Sequence, residues 1–259
     1  MNNIKPYISF TSNIKFCTLY DYIDAPITRS KQYVSPVGKI EHTVIGKEAY
    51  TDSIEICTAG GVTNTENSKM MMFHLCPTDK NLSKIEEIKQ YLSEKIKEVS
   101  PDCKNGIIVG GRTSSEIKQT TEEPQKTMPK PSLFRKIISI VFADLEEANN
   151  NHIEIKEKPL PTKTSSEASK ELFEHLKSFF TKDKKIDISV FWGQKQGYSD
   201  MYYNVEDDTW KIFKPNNSGQ NAIKSVEDLK REYQEIHLAE SDKLYIENKE
   251  ISREDLKSD

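Results

Sequence analysis

Ser53-Ile54-Glu55-Ile56-Cys57-Thr58-Ala59-Gly60-Gly61-Val62 sets an alternating apolar and polar run, a cysteine and a glycine pair side by side. The alternation reads as a half-buried strand that ends on Cys57, and the Gly-Gly pair reads as a turn. A cysteine inside a strand is usually a small hydrophobe. At the lip of a strand, beside backbone able to present N–H groups, it can be a nucleophile.

The flanking chain supports a sheet. His42 to Gly46 is a short β-like run, Lys69 to Leu75 is apolar, and Thr63 to Ser68 is a polar connection of hairpin type. A helix follows, with Asn81 as its expected N-cap and Leu82, Ile85, Ile88, Leu92, Ile96 and Val99 at helical spacing. Ser100-Pro101-Asp102 ends it. Gly106 to Gly111 is then a short apolar strand whose two closing glycines imply close backbone approach.

After Arg112 the composition changes. Thr113 to Pro131 is a Pro-containing polar linker or loop, Lys136 to Ala143 is a strand or a buried helix, and His152 to Lys156 is a strand. Ser166 to Thr181 predicts an amphipathic helix burying Leu172, Phe173, Leu176, Phe179 and Phe180. Ile186–Trp192 and Met201–Phe213 predict two strands in a hairpin-like arrangement. Ser225–His237 predicts a last helix, followed by a strand at Lys243–Ile246 and a charged tail.

The 259 residues carry 35% hydrophobic and 30% charged side chains, with a net charge of −4. That balance fits a compact core with substantial polar connections. No basic stripe with interleaved aromatics is present, so nucleic acid is not an expected partner. No apolar run is long enough for a membrane span, and the first residues lack a secretory signal pattern. A soluble cytoplasmic protein with reduced thiols is expected. The four cysteines, at 17, 57, 76 and 103, form no C-x-x-C pair, so neither a metal nor a cofactor is expected.

Of the five histidines, His74 stands alone in an apolar run, Met70-Met71-Met72-Phe73-His74-Leu75-Cys76-Pro77. If its strand pairs antiparallel with that of Cys57, the imidazole can take the thiol proton. Thr51 could orient the other ring nitrogen. Backbone N–H groups from Cys57 and Thr58 to Gly61, with Thr58, Gly60 and Gly61 as the substrate-facing residues, could form an oxyanion pocket. Plain core packing also fits a cysteine and a histidine on neighbouring strands. Cys76 competes as nucleophile but reads as packed. Trp192, Tyr198, Tyr202, Tyr203 and Trp210 pack a sheet or expose a protein-binding surface.

The order of thiol, polar loop, His-x-x-Pro, helix and apolar strand ending in Gly-Gly resembles the chemoreceptor glutamine deamidase (CheD) family. The matching residues are Thr51, Cys57, His74, Pro77 and Gly110-Gly111, within about residues 39 to 112. The family approaches its cysteine through a Gly-Ser-Cys turn, whereas Glu55-Ile56-Cys57 stands here. Similar Cys-His deamidase folds occur in toxins of the cytotoxic necrotizing factor type. The resemblance implies metal-free conversion of a protein glutamine to glutamate through a thioester on Cys57. It also implies a partner protein bearing an exposed glutamine. A bacterial effector delivered to a host cell by a non-classical route is a setting it admits.

The expected fold class is therefore α+β: a β-rich CheD-like sandwich core with a long helix over 1–112, a linker over 113–132, and a mixed α/β region over 133–259. That last region is either a second domain or an extension of the core. The expected function is a cysteine-dependent protein glutamine deamidase. The alternative is a non-catalytic protein-binding module that keeps the deamidase-like fold.

Overall fold

The computed structural model describes residues 12–17, 43–64, 68–103, 105–113, 164–195, 197–214 and 223–257. The expectations for the linker, for 136–143 and for 152–156 lie outside these residues, as does His42. The described residues belong to one compact unit, Met1–Ser115 together with Lys163–Asp259.

The fold is α+β, with two six-stranded mixed sheets. Sheet one runs β12-β11-β1-β9-β8-β3. Its strands are β1 (Asn13–Cys17), β3 (Glu48–Ile54), β8 (Ser199–Asn204), β9 (Thr209–Phe213), β11 (Lys243–Ile246) and β12 (Lys249–Ile251). Sheet two runs β10-β7-β6-β4-β5-β2. It holds β2 (Thr43–Gly46), β4 (Thr58–Asn64), β5 (Lys69–Leu75), β6 (Asn105–Arg112), β7 (Asp187–Gln194) and β10 (Glu235–His237). Strands from both ends of the chain thus interleave: β7 lies parallel to β6, and β8 antiparallel to β3.

Side-chain alternation explains the layering. Met70 and Met72 of β5, Ala59 of β4 and Val109 of β6 pack with Phe16, Ile54, Met201, Tyr203 and Trp210 of sheet one, forming the core between the sheets. The opposite faces of the same strands, through Val62, Met71, Phe73, Leu75 and Ile108, pack against helices. Those helices are α2 (Ile85–Val99), preceded by the short α1 (Asp79–Ser83), and α3 (Ser165–Ser178). α2 buries Ile85, Ile88, Leu92, Ile96 and Val99, the stripe its sequence predicts. α3 opens on a capping box at Thr164 and Glu167, and buries Leu172, Phe173 and Leu176.

Several expectations are corrected. The alternating run from Ser53 to Cys57 is not one strand. β3 ends at Ile54 after a register shift, with Ser53 at φ 54° donating its N–H to Asp200 Oδ1 at 2.8 Å. Glu55 to Cys57 form a bend, and Gly60-Gly61 sit inside β4 rather than in a turn. The N-cap is Thr78, not Asn81, and the helix is interrupted at Lys84. Met201–Phe213 is itself the β8–β9 hairpin, in the other sheet from β7. The helix α4 (Val226–Glu232) stops at Tyr233, because Glu235–His237 pairs with β7. The charged tail contains β12 and a short α5 (Arg253–Lys257). Trp192, Tyr202, Tyr203 and Trp210 are buried, and only Tyr198 of that set is exposed, at 43%. They pack sheets and make no surface. Among the described residues no helix is long and apolar enough to cross a membrane.

Gly61 makes room for the Met71 carbonyl and the Trp210 ring, which a Cβ would strike. Gly61→Ala is expected to cost about 1–3 kcal/mol, read as a lower urea midpoint at unchanged m. A polar tie across the sheets supplies a pH test. Ser189 Oγ donates to buried Asp242 Oδ2 at 2.6 Å, and burial, the largest cause, pushes the Asp242 carboxyl up to about 6. A folded value above the unfolded one favours the neutral form. Stability should thus be fullest below the ordinary carboxylate range and fall as pH rises to about 6. Asp242→Asn is expected to flatten that fall in Tm-against-pH curves.

Candidate active site

The site forms where the chain leaves sheet one for sheet two. Thr51 lies near the end of β3 and His74 near the end of β5, both buried and both turned into the space between the sheets. Thr51 Oγ1 and His74 Nδ1 are 2.6 Å apart, a hydrogen bond that spans the two sheets. An imidazole in an apolar run needs such a partner, and here the other sheet supplies it.

Cys57 stands in the bend just before β4. β4 pairs with β5 so that Thr58 faces Leu75 and Ala59 faces His74. Continued by one residue, that register sets Cys57 opposite Cys76, and their sulfurs are 2.7 Å apart. The donor atoms of Cys57, His74 and Cys76 all lie within 4.8 Å of one another. Thr51, Cys57 and His74 are therefore brought together, with Cys76 as a fourth member.

The bend is held from several sides. Gly111 N–H donates to Cys57 O at 2.7 Å. Gly110, at φ 113°, brings bare backbone against that carbonyl and against Ile54, where a side chain would collide. Gln194 Nε2 donates to Ile54 O at 2.7 Å, and its Oε1 accepts from Ser199 Oγ at 2.5 Å and from Lys214 Nζ at 2.8 Å. Lys214, 1% exposed, also meets Glu232 at 3.0 Å. Burial lowers the Lys214 pKa and the Glu232 carboxylate opposes that shift. On the far side, Cys76 O accepts from Thr78 N–H at 2.9 Å and from Asn81 Nδ2 at 2.8 Å. A Glu55–Arg112 ion pair marks the solvent-facing rim.

Gly60 and Gly61 do not serve as oxyanion donors. Each is paired on both sides, with β5 and with β6, so their backbone is committed to the ladders. Phe73 and Trp210 fill the space a side chain would take. Thr58 opens the same ladder. By strand alternation its side chain shares the helix-facing side of β4 with Gly60 and Val62, and its hydroxyl has no hydrogen-bond partner among the described residues. The backbone left near the sulfur is that of the bend itself.

Electrostatics set the protonation state. The Cys57 thiol is pushed far above the ordinary thiol range. The hydrogen bond with Cys76 is the largest cause, followed by burial and then by the charges of Cys76 and Glu55. Cys57 therefore rests as a protonated thiol. Cys103, pushed to about 12 chiefly by burial, is an inert core thiol.

Cysteine and histidine together make a donor set for a soft or borderline metal. Two thiolates on one tetrahedral zinc sit roughly 3.7 Å apart, given Zn–S bonds of about 2.3 Å. The 2.7 Å separation is tighter than that. A cavity of about 490 Å³ lined by Lys224, Glu227, Lys230, Lys249 and Asp255 has none of the cluster in its wall. No protein-family model matches the chain, and no curated protein matches it in sequence.

The sequence marked Cys76 as a competing but packed thiol and missed its pairing with Cys57, which counting outward from the polar loop gives. Gln194 and Lys214 carry no local signal, because only the tertiary fold brings them under Ile54. Removing the neighbouring sulfur gives a direct check. Cys76→Ala deletes the leading cause of the raised Cys57 pKa, so iodoacetamide should label Cys57 several-fold faster at neutral pH. Peptide mass spectrometry across a pH series reads the rate. Adding His74→Ala should remove part of that gain.

Proposed function

We propose that the chain is a cysteine-dependent protein glutamine deamidase whose β-rich core resembles that of the chemoreceptor deamidases. One observation carries the reading. The 2.6 Å hydrogen bond between Thr51 and His74 fixes an imidazole within 4.8 Å of the Cys57 sulfur. A nucleophile, a base and a group that orients the base are the parts such chemistry needs.

With Nδ1 engaged by Thr51, Nε2 is the nitrogen that takes the Cys57 proton. The base role requires the tautomer in which Nδ1–H donates to the Thr51 hydroxyl. The thiolate attacks the side-chain amide carbon of a substrate glutamine, and N–H groups of the 55–57 bend receive the developing oxyanion. His74 returns the proton to the amide nitrogen, the C–N bond breaks and ammonia leaves. Water, giving a proton to His74, then cleaves the thioester to release glutamate and the free thiol. Because Cys57 starts protonated, its ionisation is coupled to charging of His74. The protein substrate and delivery to a host cell belong to this proposal through the resemblance alone.

A second reading has its own support. Cys57 is only 6% exposed and its sulfur is engaged by Cys76, which also suits a protein-binding module without catalysis. Ammonia release and glutamine-to-glutamate conversion, followed on a mixture of candidate proteins by mass spectrometry, separates the two. The deamidase reading expects conversion that disappears in Cys57→Ala and falls by about 10²–10⁴-fold in His74→Ala. Thr51→Val should retain activity with an altered pH profile. Conversion that persists in Cys57→Ala sinks the reading.

A further inference from the structure

Cys76 plays no part in that mechanism, yet its sulfur lies 2.7 Å from the Cys57 sulfur. Both cysteines are anchored through their carbonyls, Cys57 by Gly111 and Cys76 by Thr78 and Asn81. They stand one residue beyond the last β4–β5 pair, Thr58 with Leu75, where the continued register opposes them. A disulfide requires sulfurs at ~2.05 Å, a closer approach of well under 1 Å. A shared zinc would require the sulfurs to move apart by about as much or more. The other two thiols are placed differently: Cys17 and Cys103 each rest on a backbone carbonyl, of Lys15 and Thr63. Cys76 is half-buried whereas Cys57 is nearly closed off, so an oxidant from solvent meets Cys76 first.

We propose that Cys57 and Cys76 form a redox-modification site, closing reversibly to a disulfide that removes the Cys57 sulfur from chemistry. The loss of activity rests on the deamidase reading; the disulfide does not. The oxidant class is a peroxide. The Cys76 thiolate attacks one oxygen of hydrogen peroxide, giving a sulfenic acid and hydroxide. The Cys57 sulfur then attacks the sulfenic sulfur, forms the S–S bond and expels the hydroxyl oxygen, which leaves as water with the Cys57 proton. The hydroxide from the first step takes up the proton lost in forming the thiolate. Together two thiols are oxidised by two electrons and the peroxide is reduced to two waters. A thiol reductant reverses the bond through a mixed disulfide.

The test uses the full chain, reduced, freed of metal with EDTA and treated with a small excess of hydrogen peroxide. Remaining thiols are blocked with N-ethylmaleimide, and the unreduced digest is mapped by mass spectrometry. The expected result is a cross-linked peptide pair joining Cys57 to Cys76 in most chains, with Cys17 and Cys103 recovered as maleimide adducts. Dithiothreitol should restore all four thiols. Cys76→Ser, or Cys76→Ala should that variant fold poorly, should lose the cross-link. Cys57 and Cys76 both staying alkylatable while glutathione is oxidised alongside would overturn the proposal. So would cross-links to Cys17 or Cys103. Stoichiometric zinc on the chain as purified, lost in the Cys76 variant, would also overturn it, in favour of a metal site. Thiol state is the readout rather than ammonia release. An oxidisable pair in an inactive chain therefore overturns only the deamidase reading, and an active chain with an inert pair overturns only this one.

Discussion

A chain that crosses from one sheet to the other leaves the carbonyls of its buried residues without a ladder partner. Each costs about 1–3 kcal/mol if nothing replaces the lost partner. The bend at Glu55 to Cys57 is such a crossing, and the surrounding structure is arranged to satisfy it. Cys57 O takes the Gly111 N–H, and Ile54 O takes the Gln194 amide. Gln194 must then place its own oxygen, which draws in Ser199 and the buried Lys214, and Lys214 in turn requires Glu232. β6, β7, β8 and α4 are thereby tied to one bend. The sulfur sits where it does because the backbone beneath it is hydrogen-bonded by β6 and β7 of sheet two.

That dependence explains what the sequence could reveal. Local patterning located α2 and α3 because each buries one consistent face against one layer, and β5 and β6 because each is a continuous apolar run buried on both faces. The hairpin between β4 and β5 was legible from its polar loop, and it put His74 near Cys57. The region from Ser53 to Gly61 misled for a physical reason. Ile54 and Ile56 alternate as a strand would, but Ser53 adopts a positive φ and the chain changes sheets there. The glycines look like a turn and are in fact places where neighbouring backbone and rings come too close for a side chain. Glu235 to His237 shows the same limit. Its residues extend the α4 pattern, yet pairing with β7 holds them as a strand. Tertiary hydrogen bonding won in both places.

The proposed function places two opposing demands on Cys57. Attack on an amide needs a thiolate, while burial, the Cys76 sulfur and the Glu55 carboxylate all favour the thiol. The Arg112 guanidinium paired with Glu55 offsets one of these at the rim. The largest opposing influence is still the neighbouring sulfur. On the proposed mechanism the sulfur therefore starts as a thiol, and proton transfer to His74 would accompany the approach of the amide.

The geometry divides the site into a fixed part and an adjustable part. Thr51 and His74 belong to ladders in opposite sheets, so their hydrogen bond can move only if the sheets do. Cys57 and Cys76 lie just past the paired residues, anchored by carbonyls rather than by side chains. A change of Cys57 partner, from the Cys76 sulfur to the His74 nitrogen, spans no more than 4.8 Å between donor atoms. Rotation about the Cys57 Cα–Cβ bond shifts the sulfur between staggered positions, toward one neighbour or the other. In the two roles proposed for the sulfur, the same rotation would choose between them: facing His74 it would lose its proton and attack, and facing Cys76 it would be oxidised.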